Sequence, residues 1–269
     1  MTKHRYKISN TSLLFTKLRR YITIRVKGEM IMKKAAAVIT AVILLAVAGF
    51  VLSPLYRLAD WYNLIPTISY SNRDFDIEPV YSTVDYNENG TDDYTDILLG
   101  ARKDAENHPR YDPSYVEGGY PADDAGVCTD VVWRALKNAG YSLRDMVDRD
   151  IMLYPGDYPR VEKRDSNIDF RRVVNLRVFF DKYATELTTD TEDISRWQAG
   201  DIVIFKDNKH IGIVSDKRTK EGKCYIIHNG GQPVREEDYL KRGEVLRHYR
   251  FDASAIDSSV LVLWESGVQ

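Results

Sequence analysis

Residues 35–52 form an unbroken run of eighteen residues without a charged side chain, set directly behind Lys33 and Lys34. No polar face interrupts the run, so it does not read as one flank of an amphipathic core helix. At about 1.5 Å per residue, such a helix nearly spans a hydrocarbon layer of about 30 Å. Charge gives it a direction. Residues 1–34 carry ten Lys or Arg against one acid, Glu29, whereas the rest of the chain holds 28 basic and 39 acidic residues. Basic flanks stay cytoplasmic, so the acidic body is expected outside the membrane. The chain therefore reads as a basic cytoplasmic N-terminus (1–34), a single-pass anchor (35–55) and an extracytoplasmic body held at the cell membrane. Ala46-Val47-Ala48 offers the alternative, a cleaved signal and a secreted product. No cysteine follows it closely enough for a bacterial lipid anchor. Lys27-Gly28-Glu29-Met30 resembles a translated ribosome-binding site, and Met32-Lys33-Lys34 a conventional exported start, so translation is expected to begin at Met30 or Met32. A body this acidic is a poor partner for nucleic-acid phosphates.

Beyond the apolar run, residues 56–84 show no sustained period and read as an extracytoplasmic linker. Residues 85–255 read as one folded domain and 256–269 as a C-terminal tail. The domain opens on Asp85, Asn87, Asn89, Gly90, Asp93 and Asp96, whose oxygens and turn glycine follow the spacing of a calcium loop. Asp85, Asn87, Asn89 and Asp96 are the candidate ligands of a structural Ca2+; a solvated turn capping a helix over 95–107 is the alternative. An amphipathic helix is predicted to start at Cys128 and stop at Gly140, with another over 175–183 capped by Asn175. Strands are predicted over 201–205, 211–215, 225–229 and 245–250, the middle pair closed by the polar loop 216–222 into a hairpin. Helices first and an antiparallel sheet second make an α+β fold.

Three residue types carry the chemistry. Cys128 opens a helix, where orphan backbone N–H groups and the positive dipole end favour a thiolate and are placed to hold an oxyanion. His210 stands at the mouth of an apolar strand and His228 at the end of its hairpin partner, where pairing brings the two together. Asn229 faces the opposite way from its neighbour, so only one of the two can orient His210. A thiol, an imidazole and a polar orienting group are the parts of a cysteine hydrolase that needs no cofactor for catalysis. The other cysteine, Cys224, lies in a very different setting, so one catalytic and one structural thiol is favoured over a disulfide.

These blocks resemble the papain-like NlpC/P60 hydrolases: Tyr115 with Gly118-Gly119, Cys128 opening a helix, Gly200-Asp201-Ile202-Val203, His210-Ile211-Gly212-Ile213-Val214 and Ile227-His228. The order and wording of the blocks over residues 85–251 resemble more closely a bacterial family of unknown function, DUF1287. The wider resemblance implies a papain-like α+β fold, with the nucleophile helix on an antiparallel sheet, that cleaves peptide or amide bonds of bacterial cell walls. Residue by residue it implies Cys128 as nucleophile, His210 as general base, His228 as orienting member with Asn229 in reserve, and Tyr115 beside substrate or oxyanion. Gly119, Asp130, Arg171 and Arg172 fall on the substrate side, the arginines suited to a carboxylate. Val127-Cys128-Thr129-Asp130 replaces the usual Asp-Cys-Ser-Gly, which reshapes the pocket beside the thiol. The reading is a membrane-anchored peptidase or amidase acting on peptidoglycan peptides. An acyltransferase on the same scaffold is the second enzymatic reading, and a non-catalytic wall-binding or calcium-dependent binding module the third.

Overall fold

The computed structural model describes residues 10–265; the first nine residues of the basic N-terminus and the last four of the tail lie outside it. The chain divides into two units, Met1–Ala59 and Asp60–Gln269. The first is almost wholly one helix, α1 (Asn10–Trp61), exposed over residues 14–58, with Pro54 within it. It is the one helix among the described residues that is long and apolar enough to cross a membrane. At 52 residues it is far longer than a bilayer requires, so only its apolar part meets that criterion.

The second unit is a mixed α+β body. Its helices are α2 (Asp93–Asn107), α3 (Cys128–Asn138), α4 (Leu143–Leu153) and α5 (Val173–Tyr183). Its strands are β1 (Arg110–Tyr111), β2 (Ala125–Gly126), β3 (Thr185–Glu186), β4 (Ile202–Phe205), β5 (Ile211–Arg218), β6 (Cys224–Ile227), β7 (Glu236–Glu237) and β8 (Val245–Arg250). β1 and β2 pair in parallel; the rest form a six-stranded antiparallel sheet in the order β3-β8-β4-β5-β6-β7. Central β4 reads Ile-Val-Ile-Phe with every residue buried, as a strand covered on both faces must. Ile202, Ile204, Ile211, Ile213 and Ile227 pack with Val131, Val132, Ala135 and Leu136 of α3 and with α2. The opposite sheet face carries a smaller cluster around Trp197, Val203, Phe205 and Ile226. The nucleophile-candidate helix is therefore fixed against the strands that present the histidines.

Helix α5 begins at Val173 rather than Asn175, because the Asn175 side chain is buried and donates to the Asp169 carbonyl instead of capping. Two stretches assigned to linker and tail are part of the body. Tyr70 pairs with Arg218, whose guanidinium, wholly buried, donates to Asn72 Oδ1 and to the carbonyls of Ile194, Trp197 and Gly222. At the other end, Leu263 bridges Tyr141, and Trp264 stacks on Trp133 at 6.1 Å. The 85–96 loop closes through its own amides. Asp85 accepts from the backbone of Asn89 and Gly90, Asn87 and Asn89 turn amide nitrogens to Asp96, and Asp92 caps α2 by accepting from Tyr94 and Thr95. Among the described residues no group of three or more His, Cys, Asp or Glu is arranged to hold a metal ion.

Candidate active site

Cys128 is the first residue of α3, and the turn that places it there is locked from within the protein. The Asp130 carboxylate accepts the Val127 N–H at 2.7 Å and the Trp133 indole N–H at 2.7 Å. It also takes Arg171 in a two-pronged ion pair, 2.9 Å on each prong, with both side chains buried. Such a fork matches a carboxylate in plane and fixes its rotamer. Asp130 and Arg171 therefore hold the helix start and do not stand free for a substrate. Arg172 is different: its side chain is 43% exposed, pairs with Asp169 at 3.2 Å and lines the cleft over the sulfur.

The sulfur lies against the peptide groups on either side of His210. The Cys128 thiol donates to the Lys209 carbonyl at 3.9 Å, and the Ile211 N–H points at the same sulfur. The chain segment carrying the imidazole thus meets the nucleophile helix in one place. Burial pushes the Cys128 thiol up to about 11, aided by the Asp130 charge and opposed by the Ile211, Thr129 and Cys128 N–H groups. The sequence favoured a thiolate here because of the helix end. Desolvation outweighs that end, and the resting sulfur is a neutral thiol. Cys224 is also a free, buried thiol, raised to about 12 by burial, so no disulfide ties up either sulfur.

His210 precedes β5 and His228 follows β6, and the antiparallel register that pairs Ile213 with Ile227 sets them side by side. Their rings stand 4.7 Å apart at right angles, with His210 Nε2 2.8 Å from His228 Nδ1. Gly212 is what allows this approach, since a Cβ there would lie 3.2 Å from His228 Cβ and 2.7 Å from Ile226 Cγ2. Burial brings the His210 imidazole down to about 3, helped by His228 and Arg242. His228 is lowered by burial too, against the pull of Glu237. Both rings are neutral at rest, and His210 Nδ1 has no hydrogen-bond partner among the described residues. Asn229, the reserve candidate, is turned away: its amide donates to the carbonyls of Gly126 and Pro109. It braces β2 against the β6 end.

Two of the substrate-side expectations move. The Tyr115 hydroxyl is held by Asn167 at 2.9 Å and Asp165 at 3.2 Å, away from the sulfur, and Gly119 is a packing position where a Cβ would meet the Phe170 ring at 3.0 Å. The cleft tyrosine is Tyr111, on β1, whose hydroxyl is raised by partial burial and, once the thiol ionises, by Cys128. Tyr111, Val127, Cys128, Thr129, Arg172 and Lys209 are among the residues that bound a cleft of 330 Å3. A larger hollow of 920 Å3, between residues 69–81 and α2, contains neither the thiol nor an imidazole. Sequence reasoning missed Tyr111, four residues before the tyrosine it chose, and it missed Tyr239, whose ring packs 4.2 Å from His228 and 5.3 Å from His210. It also missed Glu237, which accepts from His228 Nε2 at 3.0 Å. Nothing in a Glu-Glu pair on a two-residue strand separates the half-buried Glu236 from the fully buried Glu237.

The family model described as "Domain of unknown function (DUF1287)" matches residues 98–251, which contain Cys128, both histidines and Glu237. "Uncharacterized protein YijF" of Escherichia coli (strain K12) is 40% identical over 165 residues, 58% of this chain and 80% of the relative. No solved structure matches.

Proposed function

Since the chain belongs to the DUF1287 family of unknown function, the site itself must supply a role, and we propose a cysteine peptidase or amidase of the papain-like NlpC/P60 type. We place its substrate in the cell envelope, as a peptidoglycan stem peptide. The observation that carries the reading is the seating of the Cys128 sulfur against the backbone flanking His210, with His228 bonded to that same imidazole. A nucleophile, a base and an orienter in series are what acyl transfer requires. The apolar stretch of α1 supports a membrane anchor, with the body outside the cytoplasm as the charge asymmetry directs.

Chemistry follows from neutral partners. His210 Nδ1 takes the thiol proton as the sulfur attacks the amide carbonyl, so charge develops during attack instead of being stored in a resting ion pair. The Cys128 and Thr129 N–H groups at the start of α3 stabilise the oxyanion. His210 then returns the proton to the departing amine, the C–N bond breaks, and a thioester remains on Cys128. Water attacks it while giving its proton to His210. The C–S bond breaks, the acid leaves and the thiol is restored. Arg172 and Lys209 at the cleft give a substrate carboxylate its counter-charge.

The full chain in detergent, incubated with purified sacculi, should release peptide fragments that the Cys128→Ala variant does not. Identical fragment profiles from the two proteins would remove peptidoglycan hydrolysis. Fragments joined to an added amine rather than to water would instead identify the acyltransferase reading, which uses the same thioester.

A further inference from the structure

We propose that Glu237 is a positioning residue that fixes the proton on both imidazoles and thereby makes Nδ1 the basic nitrogen of His210. The proposal rests on the thiol-hydrolase reading for its purpose, while its structural content stands apart from any activity. Glu237 lies on β7 with its carboxylate fully buried. It receives Arg242 Nη2 on Oε1 and the Asn63 amide on Oε2 at 2.5 Å, in addition to His228. A carboxylate so supplied with donors is an acceptor only, so His228 Nε2 must carry the hydrogen that reaches it.

The rest of the chain of protons follows. A neutral imidazole has one N–H, and desolvation keeps both of these rings neutral. With its hydrogen on Nε2, His228 presents a bare Nδ1. The Gln232 amide nitrogen lies beside the ring, 3.1 Å from Nδ1 and 3.3 Å from Nε2, and donates to the His228 carbonyl at 2.9 Å, so it does not choose between the two nitrogens. The other neighbour of Nδ1, His210 Nε2 at 2.8 Å, must donate to it. His210 then has its single hydrogen on Nε2, and Nδ1 holds the free lone pair. Without Glu237, His228 is free to carry its proton on Nδ1 and point it at His210 Nε2. That reverses the sequence of donors, leaves His210 Nδ1 protonated and removes the base. Wrong-tautomer loss of this kind is how an orienting carboxylate acts through a histidine without touching substrate. Asn63 extends the arrangement outside the matched region 98–251, because it holds the second oxygen of Glu237.

The test is nitrogen-15 NMR of histidine-labelled full-length protein in detergent micelles near neutral pH, with His210 and His228 assigned from single His→Ala variants. The expected spectrum shows both rings neutral with hydrogen on Nε2. In Glu237→Ala the His228 signal should change tautomer, and fragment release from sacculi should fall at least about 100-fold, the lower end of what a positioned base contributes. A wild-type His228 carrying its hydrogen on Nδ1 overturns the proposal, and so does a Glu237→Ala protein that releases fragments at the wild-type rate. The wild-type spectrum decides even where the variant does not fold. If the wild-type chain releases nothing, the hydrolase reading fails while the tautomer result still upholds or overturns the assignment to Glu237.

Discussion

Asp130 shows how one side chain changes meaning between sequence and structure. A charge beside the nucleophile suggests a group aimed at substrate, yet all its lone pairs serve Val127, Trp133 and Arg171. Removing one partner of a buried pair leaves the other charge uncompensated, which costs about 3–5 kcal/mol. Asp130→Ala should therefore lower unfolding stability by that amount in urea titration. The neighbours His228 and Asn229 separate in the same way. His228→Ala should abolish fragment release and, by taking a donor from the buried Glu237 carboxylate, should also lower the melting temperature. Asn229→Ala, which takes one donor from the carbonyls of Gly126 and Pro109 while Asp112 and Arg235 still donate to them, should cost about 1 kcal/mol and leave fragment release near the wild-type rate; the sacculus assay distinguishes the two. Alternation along a strand predicts that only one of the two faces His210, and it leaves open which. Tyr111 and Tyr115 flank the same Pro-containing loop, and the pairing of β1 with β2 is what sets Tyr111 on the wall of the cleft that Cys128 also lines.

At the scale of elements, the strands were legible because their apolar runs are bounded by Gly, Asp and Lys turns. The strand read over 245–250 is β8 as found, and the hairpin of β5 and β6 follows from the loop between them, though β5 runs on to Arg218. Helix α3 was legible from its start at Cys128 to the Gly140 that follows it. Residues 60–84 and 256–265 were not, because irregular chain is held by distant partners such as buried Arg218 and Trp133, which no local period reveals. The 85–96 segment was legible as turn and ligand pattern alike. In the structure Asp92 satisfies the first N–H groups of α2, so Asp92→Ala should cost about 1 kcal/mol by denaturant unfolding. Adding calcium or a chelator should leave the melting temperature unchanged, since Asp96 is already answered by Asn87 and Asn89. A calcium-dependent rise would mean that those amides turn their oxygens inward.

Burial favours the uncharged forms of both cysteines and of the two site imidazoles, and for the thiols that has a pH signature. Cys128 and Cys224 are raised to about 11 and about 12 from an ordinary 9.0, and the half-buried Tyr120 is raised to about 12 from 10.0, in each case chiefly by burial. Groups raised on folding contribute stability that is complete below their unfolded values and lost as pH climbs toward the folded ones. Thermal stability should accordingly fall from about pH 9 upward, with Cys128→Ala flattening the first part of the decline. The family match and the α+β body give this protein a place among its relatives; the sulfur and two imidazoles carry the chemistry proposed for it. The most direct measurement of that chemistry is mass spectrometry of the full chain, mixed with peptidoglycan-derived peptides and quenched in acid. A thioester adduct on the Cys128 peptide of the wild type, absent from His210→Ala, is the predicted result. Peptide cleavage without any adduct on Cys128, or an equal adduct in His210→Ala, would contradict it.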